Sequence, residues 1–343
     1  MIKDTKPDGI TLVHIESFEN QPAEILRYQN GNRAILFPVG RYTYQIDIQH
    51  SKGVLNPSGN LLYEYINGRL QIESGSPIFV IGATKNGACP ADCDNCPFGH
   101  SVWKNKDLQA VPVTPSELKN FLEQTVQIAI DEGVLKQGQE VGIREFGAGD
   151  PGYYTYLPEN MVVVSRLTGC TSSSWSTIAP LSRFNVLRLM EKGAMQVMKE
   201  QPNHKLKMQF SIHDTRHEAR VAYTIVENLF SLEDIAKSAQ TILGITKRRP
   251  NLVFVLKEGT QVDGQVLVNA GLTPDRVVIT LRPMDFSRES PTGAPMDPGE
   301  MISIYEKLRI LGYDVAWIPP TPSPDNLPPI ELSNLRQYRN QGL

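Results

Sequence analysis

Gly87-Ala88-Cys89-Pro90-Ala91-Asp92-Cys93-Asp94-Asn95-Cys96-Pro97-Phe98-Gly99-His100 holds three of the four cysteines in this 343-residue sequence. Their spacing is C-x3-C-x2-C on one loop. Three thiolates so spaced can wrap a [4Fe–4S] cubane and ligate three of its irons. The fourth iron then has no protein ligand, and an open position is what separates a catalytic metal site from a structural one. Two other readings compete. Cys89, Cys93, Cys96 and His100 fit a structural Cys3His zinc site. A purely electron-transferring cluster is also compatible, although it normally uses a fourth nearby cysteine.

Downstream of the loop the sequence alternates strand and helix patterns. Thr114-Pro115-Ser116-Glu117 is a helix start, with Thr114 as cap, Pro115 in the first turn and Glu117 reaching back. Leu118, Phe121, Leu122, Ile128 and Ala129 then share one face, and Gly133 stops the helix. Val141–Phe146 reads as a short strand. Ser231 opens a helix that Gly244 is expected to end. Asn251–Leu256 and Arg276–Leu281 are near-continuous apolar runs, as in buried parallel strands. Asp297-Pro298-Gly299-Glu300 caps a helix that turns Met301, Ile304, Tyr305, Leu308 and Leu311 inward. Gly312 ends it, and Tyr313–Ile318 forms a last strand. Alternating βα units imply an α/β fold with a parallel sheet, curled into a barrel or partial barrel.

Upstream, short β-leaning runs alternate with Gly, Pro, Asn and Ser turns: Gly9–His14, Ala34–Val39, Tyr42–Ile48, Leu61–Ile66 and Ile78–Ile81. The expected organisation is a β-rich N-terminal region over 1–76, a core over 77–318 and a Pro-rich extended tail over 319–343. The net charge of −3 gives no global electrostatic footprint for nucleic acid. Lys247-Arg248-Arg249, Arg282 and Arg288 are local exceptions that read equally as a solvated face. No apolar run approaches a membrane span, and no signal peptide is visible. Clustered rather than spread cysteines suit a reducing compartment, so the expectation is a cytoplasmic protein without a membrane partner.

The cysteine loop and the strands and helices after it resemble the radical S-adenosylmethionine (SAM) superfamily over residues 77–318. The ribosomal-RNA adenine methyltransferase branch (RlmN/Cfr-type) is the most similar. Phe146-Gly147-Ala148-Gly149-Asp150-Pro151 resembles that family's Gly-Glu-Pro turn at the second barrel strand, with Asp150 in place of the glutamate. Trp175-Ser176-Thr177-Ile178-Ala179-Pro180 resembles its third strand, and Phe210-Ser211-Ile212-His213 the Ser-Leu-His that ends its fourth. Val253–Gly259 and Ile279–Asp285 resemble the fifth and sixth. The resemblance implies a partial (β/α)6 barrel with a [4Fe–4S] cluster on Cys89, Cys93 and Cys96. It implies SAM at Gly149, Asp150, Ser176, Ser211, His213 and Asp285, and a reductant such as flavodoxin or ferredoxin.

The implied activity is reductive cleavage of SAM and hydrogen abstraction from a small-molecule, peptide or RNA substrate. Three departures narrow it. Asn95 stands where the family carries an aromatic. The N-terminal region reads as β-rich rather than helical. Cys170 is the last cysteine in the sequence, whereas those methyltransferases pass a methylene from a cysteine near the C-terminus. An RNA-adenine-modifying enzyme with another intermediate is thus the second expectation, and a non-catalytic zinc protein the third.

Overall fold

In the computed structural model, Thr114 caps the first long helix, α1 (Pro115–Asp131), through a complete capping box. The Glu117 amide donates to the Thr114 hydroxyl and the Thr114 amide to the Glu117 carboxylate. The expected apolar face, Leu118, Phe121, Leu122, Ile128 and Ala129, is buried. The structure describes residues 3–5, 11–15, 23–27, 33–39, 42–50, 77–85, 89–91, 93, 110–145, 149–224, 226–283, 294 and 296–317. Leu61–Ile66 and the Pro-rich tail lie outside these.

All the described strands belong to one sheet in sequential order. β1 (Lys3–Thr5), β2 (Thr11–Ile15), β3 (Ala23–Arg27), β4 (Arg33–Val39) and β5 (Tyr42–His50) form an antiparallel meander. β5 pairs antiparallel with β6 (Pro77–Ile81). From there every pairing is parallel, through β7 (Val141–Glu145), β8 (Cys170–Thr177), β9 (Lys205–Ser211), β10 (Asn251–Leu256), β11 (Val278–Pro283) and β12 (Val315–Trp317). The crossovers carry α1, then α2 (Leu157–Arg166), α3 (Val186–Glu200), α4 (His217–Ala222) with α5 (Leu232–Thr246), α6 (Gly264–Asn269) and α7 (Pro298–Ile310). No pairing closes the sheet among the described residues, so the fold is a partial α/β barrel, to which β12 adds a seventh parallel strand.

The main core lies between the sheet and its helices. Ile143 of β7, Trp175 of β8, Phe210 of β9, Phe254 of β10 and Ile279 of β11 all face it and are buried. The meander is tied to the same core. Phe121 of α1 stacks on Phe37 and Tyr44, at ring-centroid distances of 5.0 and 4.8 Å, and the Tyr44 hydroxyl donates to the Gly82 carbonyl. Such aromatic pairs contribute about 1 kcal/mol each beyond their burial.

Two local expectations need correction. Gly244 does not end α5; the helix runs on to Thr246, and Lys247 takes the left-handed cap conformation at φ 57°. Its own Nζ satisfies the Gly244 carbonyl, a free acceptor at the helix end. Leu311 is 39% exposed rather than inward, because α7 ends at Ile310 and Leu311 is already its C-cap.

Candidate cofactor-binding site

Parallel α/β folds collect their ligands where strands end and helices begin. Cys89 and Cys93 come after β6 and are buried in one small apolar cluster with Ala91, Ile178, Tyr223 and Leu229, flanked by Tyr153, Val221 and Val226. Ile178 directly follows β8, and the other partners belong to the segments that follow the C-terminal ends of β6, β7 and β9, so the two thiols sit on the strand-end side. Both thiol positions act on Tyr153, whose hydroxyl is held above its ordinary range by burial, then by Asp150, Cys89 and Cys93. Cys96, His100 and Asn95 lie outside the described residues, as do Gly147, Ala148 and Asp285.

Gly149 and Asp150 come after β7. Gly149 has a φ of 91°, and a Cβ there would lie 2.6 Å from the Thr84 Cγ2 and 3.2 Å from the Thr84 amide nitrogen. Only glycine lets this turn lie against the segment that leads to the cysteines. Asp150 caps a 3-10 turn over Pro151–Tyr153. Its Oδ1 accepts from the Gly152 amide (2.7 Å) and the Thr177 hydroxyl (2.8 Å), and its Oδ2 from the Ile178 amide (2.8 Å). Burial outweighs these bonds and pushes its pKa up to about 6. Glu145, the last residue of β7, is raised well above the usual carboxylate range, by burial first and by Asp150 second.

Ser176 and Ser211 meet at the ends of β8 and β9, with hydroxyl oxygens 3.4 Å apart. Gln209 Nε2 donates to Ser176 Oγ at 3.1 Å. His213, two residues past β9, has a φ of 64°. Positive φ in a residue other than glycine is uncommon and clusters at ligand sites. Its ring stacks on Tyr223, and its Nδ1 is buried with no hydrogen-bond partner among the described residues. Burial, then the charges of Arg220 and Lys257, push its pKa down to about 3, so the ring is neutral. The expected residues Gly149, Asp150, Ser176, Ser211 and His213 thus share the strand-end side that carries Cys89 and Cys93.

Several residues here escaped the sequence reading. Arg220 of α4 is 1% exposed; its Nη1 donates to the Phe230 carbonyl, while Nε and Nη2 have no partner among the described residues. Lys257 Nζ lies 4.7 Å from the Tyr223 ring centroid. Tyr154 has a buried hydroxyl, likewise without a partner among the described residues. The only sequence signal for these was position: Tyr153 and Tyr154 follow Asp150-Pro151-Gly152, and Arg220 sits a few residues beyond His213.

Cys170 is the first residue of β8, at the opposite end of the barrel from Cys89 and Cys93. It is buried, and burial pushes its thiol up to about 12. Arg249, in the basic run, pairs with Asp314 and donates to the Pro274 carbonyl, again below the strand-end mouth. Among the described residues no group of three or more metal-ligating side chains is assembled, and no helix is long and apolar enough to cross a membrane.

No protein-family model matches the chain, and no curated protein matches it in sequence. Among solved structures, it is similar to a radical SAM methyltransferase from Sphaerobacter thermophilus, with a TM-score of 0.62 and 13% identity over 92% of this chain and 79% of that one. SuiB of Streptococcus suis, solved with S-adenosylmethionine, aligns with a TM-score of 0.45 and 12% identity over 70% of this chain and 49% of that one. The chain therefore spans about half the length of SuiB. The first likeness establishes the fold: the chain has the architecture of the Sphaerobacter enzyme.

Proposed function

We propose that the chain is a radical SAM enzyme that holds a [4Fe–4S] cluster on Cys89, Cys93 and Cys96. The observation that carries this reading is the burial of Cys89 and Cys93 together over the strand ends, beside polar atoms buried without partners among the described residues: His213 Nδ1, Tyr154 Oη, and Arg220 Nε and Nη2. Buried polar groups are almost always paired. Such groups gathered beside two thiols suit a site shaped for a polar cofactor.

A cluster held on these cysteines would supply the electron for reductive cleavage of SAM and so the radical chemistry of the site. The chain's own residues bind and orient. Arg220, desolvated and with two free N–H edges, pairs with the SAM carboxylate. Ser176, Ser211 and His213 line SAM. Asp150 chiefly positions the site: three donors occupy its carboxylate, which fixes the turn after β7 to the end of β8. A carboxylate has about four acceptor sites, so about one is left for the SAM amino group. The apolar packing of Ile178, Leu229 and Tyr223 around the thiols excludes water.

Cys170 does not serve as a methyl carrier here, since it is buried at the far end of the barrel. Anaerobic reconstitution with iron and sulfide should give a brown protein that forms 5′-deoxyadenosine from SAM and dithionite. Cys93→Ala should abolish both colour and product. A colourless protein with one tightly held zinc ion would establish a structural site instead.

A further inference from the structure

Parallel strands covered on both faces are apolar on both. Here the register separates two unlike faces. Residues that pair across a sheet point the same way. Ser174 pairs with Arg144 on one side and Lys207 on the other, and Gln209 pairs with Ser176 and Asn251. These positions lie opposite the helix-covered face that carries Ile143, Trp175 and Phe210. Side-chain bonds trace the same concave face from strand to strand. Ser211 and Ser176 share a bond, Gln209 donates to Ser176, Asn251 to Gln209, and Thr280 to Asn251.

The concave face is also cationic. By register it carries Arg144, Lys205, Lys207 and Arg282, with Lys257 continuing the β10 alternation just past the strand end. Within the parallel strands β6 to β12, no residue at these register positions is acidic. Arg144 is half-buried near the end of β7 and Arg282 exposed near the end of β11. Neither guanidinium makes a hydrogen bond or ion pair with any described residue. One sign of charge in a concave, low-dielectric wall concentrates ligands of the opposite sign.

We infer that this concave face takes a substrate bearing a carboxylate or phosphate group, held by Arg144 and Arg282. The identification of that ligand as the substrate rests on the radical SAM reading; the anion site itself does not. The hydroxyl and amide ladder between the two arginines is a polar wall that suits the polar remainder of such a molecule.

Calorimetric titration of the cluster-reconstituted protein with glutarate and, separately, glycerol 2-phosphate tests the inference and tells the two sources apart. At least one anion should bind, and Arg144→Gln and Arg282→Gln should each weaken it about tenfold or more, as for loss of a charge-assisted bond. Arg144→Lys, which keeps the charge, should retain most of the binding and shows that loss in Arg144→Gln is not misfolding. Lys119→Gln, on the outer surface of α1, should bind like the parent. The inference is overturned if neither anion binds, or if both arginine variants bind as the parent does. It is equally overturned by tight binding of a decaribonucleotide that both substitutions leave intact. Formation of 5′-deoxyadenosine by the parent protein without either anion reports separately on the radical SAM reading, and its absence would leave the titrations readable.

Discussion

The His213 imidazole lies flat against the Tyr223 ring, with centroids 4.3 Å apart and planes 16° from parallel. This stack, closed over by α4, is why the histidine is buried and neutral. In the folded protein its pKa is pushed down to about 3, whereas a histidine in the unfolded chain titrates near about 6.5. Between those values the unfolded state binds the extra proton, so stability falls as pH falls. Asp150 acts in the opposite sense: its folded pKa of about 6 lies above its ordinary value of 3.8, so its contribution is lost as pH rises through that window. His213→Asn keeps a side chain that tolerates left-handed backbone and leaves Asp150 in place, so the Asp150 effect cancels in the comparison. Urea unfolding at about pH 7 and about pH 5 should show the parent losing about 2 kcal/mol relative to His213→Asn. Parallel pH profiles for the two proteins would contradict a neutral buried ring.

Gly149 and Thr84 make a second tight relationship. Gly149→Ala must both hold φ near 91° and place a methyl 2.6 Å from the Thr84 Cγ2. The expected loss is about 2–4 kcal/mol of stability. Adding Thr84→Ser removes the nearer clash and should recover part of it, leaving about 1–2 kcal/mol for the backbone. Thermal denaturation of the single and double variants reads both parts. Failure of Thr84→Ser to help would mean that the two segments separate rather than clash.

The legible parts of this molecule were those written in local chemistry. Thr114 and Glu117 announce a capping box, and Asn251–Leu256 announces a buried strand, because cap geometry and continuous apolarity each have few alternatives. Cys89 and Cys93 stand out in the sequence by spacing, and the structure buries both beside Ile178 and Tyr223. β8 was harder: Thr171-Ser172-Ser173-Ser174 is polar throughout, yet it belongs to a central strand in which Ser172 and Ser174 face the concave side, Ser173 bonds to buried His204 and Thr171 donates to Glu140. Arg220 was not legible, because an arginine on a short charged helix reads as solvated until tertiary packing buries it. The face carrying Arg144, Lys207 and Arg282 was hidden for another reason. The three lie on different strands, and only the register brings them to one side.

Asp150 should behave as a structural clasp in any stability measurement. Asp150→Ala leaves the Gly152 amide, the Thr177 hydroxyl and the Ile178 amide without their acceptor in a buried site. The cost should be about 3 kcal/mol or more. Asp150→Asn keeps an acceptor for two of these donors but turns an NH2 group toward the third, so it should fall between the parent and Asp150→Ala, at about 1–3 kcal/mol. Guanidinium unfolding gives the order directly. Equal stability of all three proteins would show that the carboxylate does not hold the two loops together.

Arg220 provides the sharpest separation of structure from function. Its guanidinium is desolvated, which lowers its pKa to about 10 despite Asp214 and Glu233. A buried cation without full pairing costs stability, and replacing buried charged groups with apolar side chains of similar size is often neutral or stabilising by about 1–4 kcal/mol. Arg220→Met should therefore melt no lower than the parent in the absence of SAM, apart from the loss of one bond to the Phe230 carbonyl. If the two free N–H edges meet the SAM carboxylate, the same substitution should weaken SAM about tenfold or more. Ligand binding to the native state raises the melting temperature in proportion to the logarithm of ligand over Kd, so the SAM-induced shift should shrink in the variant while the unliganded melt holds. A purely structural arginine gives the reverse pattern, a lower unliganded melt with an unchanged SAM shift.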